Sequence, residues 1–428
     1  MNKKILHLAL PSIVSNITVP LLGLVDTAIV GHMGHSRYIG AIAVGAMIFN
    51  VTYWLFAFLR MGTGGLTAQA FGRKDMEDAA LTGVRALLIS SLIGMIIIAL
   101  QYPFFSLALW IIGPEKNVIE LVWQYCSICV WGAPASLALF ALNGWFVGMQ
   151  NTSIPMAISI IQNITNILIS LLLVYLLEWK MDGVATGTLI AQWAGAILGL
   201  FFFIKRCPSF SQKGIARLDD IKKFFSVNRD IFLRTLFLVA VNLYFVAAGA
   251  KGGTLTLAVN TLLMQLFILY SYVMDGFAYA AEALCGRYYG AKDYDSLNRA
   301  IKGVMAWSIA LTIAYTIVYG FGGKDFLALL TDNKVVIYVA ERYLPWAWAI
   351  PFAGLLAFVW DGVFIGMTMT RGMLFGTCSA AIVFFITYFS LFPILENHAL
   401  WLAFILYLLM RGITQSVYFH KQFRHINK

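Results

Sequence analysis

Runs of about 20 or more apolar residues recur along the whole chain, separated by short polar joints, and this alternation predicts membrane-crossing helices. Read at that spacing, the spans fall at residues 5–31, 38–68, 79–101, 118–147, 153–177, 183–204, 225–249, 254–285, 300–321, 335–365, 372–394 and 398–420, twelve in all. The short alternating segments of a membrane β-barrel are absent from the sequence. The first run follows MNKK, is too long for a secretory leader and lacks a small-residue cleavage site, so it is read as a retained first span.

Composition strengthens this reading. Of the 428 residues 61% are hydrophobic and 12% charged, about half the charged share of a soluble domain, and the mean hydropathy is +0.81. A net charge of +10 raises the question of nucleic acid, but the basic residues sit in short joints rather than on a soluble face, so no nucleic-acid partner is expected. Their distribution sets topology instead. One set of joints carries Lys3, Lys4, Arg73, Lys74, Lys205, Arg206, Lys222, Lys223, Arg287, Lys292 and Arg371 among others, whereas the opposite set holds only Arg37, Lys116, Lys180, Lys251, Lys324 and Lys334. The richer set faces the cytoplasm by the positive-inside rule, which places both termini there.

The longest polar joint, Lys205 to Arg229, falls near the chain midpoint. The two halves also match one another. GRKD at Gly72 superposes on GAKD at Gly290, an offset of 218 residues, and the same offset lays NGWFVGMQNT from Asn143 on DGVFIGMTMT from Asp361. The division expected is an amino-terminal six-helix bundle at 1–206, a cytoplasmic linker at 207–224 and a carboxy-terminal bundle at 225–428. Each half has an even number of spans, so the repeats are parallel about an axis along the membrane normal, and two such bundles around a central cavity suit alternating access.

Asp26 is the acid that this pattern singles out. It lies within the first apolar run, where a carboxylate costs about 2.5–3.5 kcal/mol on insertion scales and persists only facing a bundle interior or a wet cavity. At the repeat offset it faces Tyr244, so its carboxylate is not duplicated. On span five, Asn163, Asn166 and Ser170 follow i, i+3, i+7 spacing and share one helix face. Asn143 on span four and Thr186, Thr188 and Gln192 on span six add further amides and hydroxyls. Such groups suit either orienting a protonatable Asp26 or coordinating a small cation through oxygen. In the second half, Asp275 and Glu282 lie seven residues apart on span eight. Asp275 suits a cavity wall or a structural pair equally; Glu282 fits better a pair with Arg287 or another base. Asp361 replaces Asn143 at the repeat offset and is a weaker candidate.

Other chemistry is excluded. The five cysteines are scattered, and the CxxC of Cys126 and Cys129 stands alone inside an apolar span, so neither a disulfide framework nor a zinc site is expected. No Walker P-loop, HExxH or nucleophile motif occurs. Enzyme activity and bound cofactors are therefore not expected, and transport would draw on an ion gradient, worth about 2.3 kcal/mol per charge per 100 mV. The 32 Phe, 19 Tyr, 12 Trp and 16 Met suit an adaptable surface for apolar or cationic compounds.

Several stretches together resemble a known family. LALPSIVSNITVPLLGLVDTAIVGHMG, GTGGLTAQAFGRKD, GWFVGMQNT and DGVATGTLIAQW are similar in order and spacing to the multidrug and toxic compound extrusion (MATE) family, and DGFAYAAEAL points to its DinF-like branch. The resemblance covers nearly the whole chain. It implies an all-α polytopic protein of the bacterial inner (plasma) membrane, in contact with membrane lipid and acting as a monomer. It also implies an antiporter that expels small organic, cationic or amphipathic compounds against H+ or Na+ influx. Carried onto this chain, the helix-bending proline is Pro11, the essential acid Asp26, the cavity amides Asn143 and Asn166, and the span-six hydroxyl Thr188. Protonation of Asp26 would then bend span one at Pro11 and collapse the amino-terminal cavity. Ser170 departs from the pattern, because many relatives carry an aspartate there. That loss of charge argues against a Na+ site of the usual composition near Asp26 and favours protons. The alternative within the same superfamily is a flippase for lipid-linked precursors, whose cavities tend to be more cationic.

Overall fold

The computed structural model describes all residues except 32–35, 212–213, 216 and 427–428, and all side chains except those of 19–24, 26, 27, 30, 31, 36, 117, 218 and 424–426 as well. The side chain of Asp26 is thus outside the described residues, although its backbone is helical. No strand occurs among the described residues. Eleven helical stretches there are long and apolar enough to cross a membrane, and α1 (Asn2–Gly31) completes the twelve expected spans of an integral membrane protein.

The first half continues through α2 (Ser36–Leu55), α3 (Phe58–Arg73), α4 (Met76–Ala99), α5 (Gln101–Ile112), α6 (Lys116–Cys129), α7 (Ala133–Gly148), α8 (Ser153–Leu171) and α9 (Lys180–Arg206). The second consists of α10 (Leu218–Lys251), α11 (Thr254–Gly290), α12 (Tyr294–Leu330), α13 (Lys334–Glu341), α14 (Leu344–Gly366), α15 (Thr370–Leu395) and α16 (Asn397–Ile426). The chain forms two compact units, one of Leu10–Asn228 and one of Met1–Ala9 with Arg229–Lys428.

Prolines mark three of the places where the observed helices depart from the hydropathy pattern, while span two divides between Leu55 and Phe58 without one. Residues 102–117, expected as a joint, hold all of α5 but its first residue, and the helix breaks at Leu100 just ahead of Pro103. A proline within a continuous helix would clash with the carbonyl four residues back and donate no bond. At the repeat offset Pro103 becomes Phe321, and there α12 runs unbroken for 37 residues. Spans four and ten, each expected as one helix, are likewise divided, and the second piece carries its proline, Pro134 or Pro345, in the first turn, where the missing N–H costs nothing.

The internal repeat holds down to single hydrogen bonds. Lys74 and Lys292 both adopt left-handed backbone, with φ of 61° and 57°, and the following Asp75 and Asp293 each accept from a main-chain N–H three residues on, at 3.0 Å. Gln150 and Thr368 repeat the left-handed turn after α7 and α14, with φ of 62° and 53°. Glycines seat the matching helix pairs. A Cβ on Gly144 would collide with the carbonyl of Arg60 on α3, and one on Gly362 with the carbonyl of Ala278 on α11, contacts that the same offset relates. Gly144→Ala and Gly362→Ala are each expected to destabilise the protein by about 1–3 kcal/mol through overpacking. Thermal unfolding of the detergent-purified variants checks this, and unchanged midpoints would show that these helices part freely.

Within the Leu10–Asn228 unit, the segment after α9 is fastened to α4. The buried Arg85 donates to the carbonyls of Gly214 (2.5 Å) and Ile215 (3.2 Å) and to Asp220 (2.9 Å), while Glu77 accepts from the Ser211 N–H at 3.1 Å.

Candidate functional site

In the Leu10–Asn228 unit the polar groups of α8 reach two neighbouring helices. Asn163 donates through Nδ2 to the carbonyl of Thr18 on α1 at 3.0 Å. The Thr18 hydroxyl donates to the Ser15 carbonyl at 2.7 Å, so in its 3.0 Å contact with Ser159 it is the acceptor. A helical side chain leans toward its own N-terminus and a carbonyl points toward the C-terminus. Thr18 meets Ser159 through the first and Asn163, four residues later, through the second, so α1 and α8 run in the same direction here. At a rise of 1.5 Å per residue, Asp26 is about 12 Å beyond Thr18 along α1, and Ser170 about 10 Å beyond Asn163 along α8. The backbone of Asp26 therefore stands near the level of Ser170.

Asn166 and Ser170 turn to α9. Asn166 is fully buried and donates to the Thr188 hydroxyl at 3.0 Å, while its buried Oδ1 accepts no hydrogen bond from the described residues. Ser170 is also fully buried, with its hydroxyl against Gly187, where a Cβ would collide with it. The oxygens of Asn143 and Gln192 are likewise buried acceptors without a donor among the described residues. The stripe seen in the sequence thus splits, Asn163 binding α1 while Asn166 and Ser170 face α9. Thr18 and Ser159 were not among the expected residues, although Ser159 precedes Asn163 by four and extends the same face. Buried amide and hydroxyl oxygens of this kind can hold a proton-bearing group or a small cation, and a buried acceptor left without a donor costs about 1–3 kcal/mol. Among the described residues no cluster of His, Cys, Asp or Glu could hold a metal ion.

The equivalent positions in the other unit carry different chemistry. Asn163, Asn166 and Ser170 correspond to Ala381, Phe384 and Tyr388. Tyr244, opposite Asp26 in the repeat, packs edge-on against Phe384, Phe385, Tyr388 and Phe389 with ring centroids 5.1–6.2 Å apart. Asp361, opposite Asn143, is held by three donors: Arg234, Arg411 at 3.0 Å and Gln415 at 2.9 Å. Both guanidinium groups are buried, and Arg411 also lies 5.7 Å over the Phe358 ring. Asp275 is part-buried on α11. Glu282 is fully buried on α11, its carbonyl close to Gly366. Pro11 interrupts the hydrogen bonding of α1 without ending the helix.

The MatE family model matches residues 11–172 and 231–389. The chain is 38% identical to DNA damage-inducible protein F of Escherichia coli (strain K12), covering 99% of this chain and 93% of that protein. It superposes with a TM-score of 0.91 on a solved structure described as the outward-facing conformation of a multidrug resistance MATE family transporter of the MOP superfamily. That pair is 18% identical, and the match covers 100% of this chain and 97% of the other. A structure of MATE in the bent conformation gives 0.89 at 19% identity, covering 99% and 96%. The chain accordingly belongs to the MatE family, whose members are transporters and not enzymes.

Proposed function

We propose that the protein is a secondary active antiporter that expels small organic, cationic or amphipathic compounds in exchange for inward H+ or Na+. The observation that carries this reading is the asymmetry between halves. A track of amides and hydroxyls, fully buried at Asn166 and Ser170 and joined by one acid on α1, occupies the first unit, while the repeat equivalents of Asp26, Asn166 and Ser170 are aromatic. An unduplicated acid beside such a track suits binding of the coupling ion, and the aromatic face suits cationic or apolar cargo.

Asp26 takes the coupling ion, with Asn143, Asn163, Asn166, Ser170 and Thr188 shaping its surroundings. Ser170 favours H+ over Na+, because a fully buried hydroxyl against Gly187 supplies no second charge for a bound cation. Neutralising Asp26 changes its hydrogen bonds, and Pro11, which supplies no main-chain N–H, is where α1 bends in response. The bond from Asn163 to Thr18 passes that movement to α8. The protein resides in the bacterial inner membrane with both termini cytoplasmic, and it functions as a monomer.

Asn166→Leu is expected to lower efflux roughly ten-fold. It removes a bond to Thr188 worth about 0.6–2 kcal/mol in a bilayer, so the unfolding midpoint should fall only a few degrees. Efflux of a fluorescent cation from cells expressing the variant, set beside its thermal unfolding, tests this; normal efflux would remove Asn166 from the pathway.

A further inference from the structure

The Leu10–Asn228 unit carries an apolar groove of about 400 Å³ between α4, α7 and α9, floored by Pro134, Ala135 and Ala138 and walled by Leu88, Trp193 and Ile197. Leu88 and Ile197 are 56% and 64% exposed, so this is an open trough rather than an interior void. The Trp193 indole donates to the Trp131 carbonyl at 3.1 Å and thus presents hydrocarbon to the groove. Val84, Phe203 and Ile204 also line a second cavity of about 430 Å³ that continues to Pro208 and Phe210. At that junction Lys205 and Arg206 are exposed. The acids on neighbouring elements already have partners: Glu77 accepts from the Ser211 N–H, Asp78 pairs with Arg73, and Asp220 with Arg85.

The groove has the length of one leaflet. From Trp193 to Ile204, α9 rises about 16 Å at 1.5 Å per residue, and half of a hydrocarbon core of about 30 Å is about 15 Å. We propose that the groove seats an acyl chain of one anionic glycerophospholipid, from the leaflet that Arg206 faces, with its phosphate held by Lys205 and Arg206. A zwitterionic lipid offers the same chain but less attraction to the two bases. This site is separate from the α8 polar track and independent of what the protein transports.

Native mass spectrometry of the full-length protein, delipidated in detergent and titrated with dioleoyl phosphatidylglycerol or dioleoyl phosphatidylcholine, tests the proposal. The wild type should retain one phosphatidylglycerol with a preference of roughly 30-fold, the factor supplied by two basic side chains near a bilayer surface. The double variant Lys205→Gln, Arg206→Gln should bind both lipids alike, and Ala138→Trp should retain neither. Equal retention by the wild type, or undiminished phosphatidylglycerol binding by Ala138→Trp, would overturn it. Because Lys205 and Arg206 are exposed, the charge variant folds whether or not Ala138→Trp does, and an unchanged preference in it overturns the proposal by itself.

Discussion

Asp361→Leu is expected to destabilise the protein by about 3–5 kcal/mol, because it leaves Arg234 and Arg411 buried without their shared anion. The carboxylate accepts from both arginines and from Gln415, so three donors lose their partner in one step. Two cations that were held apart by one anion then face each other in an apolar bundle. Replacing the cluster together, with Arg234→Met, Arg411→Met and Asp361→Leu, should recover much of the loss, since apolar residues of similar volume often replace buried ion pairs without penalty. Thermal unfolding in detergent separates the cases. A stably folded Asp361→Leu variant that has lost efflux would instead place Asp361 in the transport pathway.

The second large effect belongs to Asp26. Asp26→Asn keeps the size and most hydrogen-bonding capacity of the side chain but removes its titration and charge. Ion-driven efflux should fall by about 100-fold or more, while the unfolding midpoint stays within a few degrees of wild type. The contrast with Asp361 is the useful part: one acid is expected to serve transport and the other to hold the fold. At the repeat offset Asp26 meets Tyr244 and Asp361 meets Asn143, so neither acid is inherited from a common half.

Much of the architecture was visible in the pattern of apolar runs. The twelve spans and the two repeat anchors reappear as helices and as paired turns at Lys74 and Lys292 and at Gln150 and Thr368. The end of span three at residue 101 agrees with the break at Leu100, but α5 is not legible as a helix of its own, because QYPFFSLALWII is too short to cross a bilayer and falls in the stretch read as a joint. The ion cluster around Asp361 was also missed, for a physical reason. Basic residues in the joints report topology, whereas Arg234 and Arg411 lie inside spans seven and twelve. A charge there requires a partner, and two arginines within spans could have been matched to the acid in span ten. The polar face of α8 was legible from its spacing, but its division between α1 and α9 was not, because spacing gives a shared face and not the neighbour that each side chain meets.

In the proposed mechanism Asp26 is the group through which an ion gradient drives efflux. Its most direct test is substrate movement in proteoliposomes with pH and sodium gradients imposed separately, wild type beside Asp26→Asn. Efflux by the wild type driven by the pH gradient, and absent from Asp26→Asn under either gradient, is the predicted result. An Asp26→Asn protein that still moves substrate with the normal response to pH would contradict it.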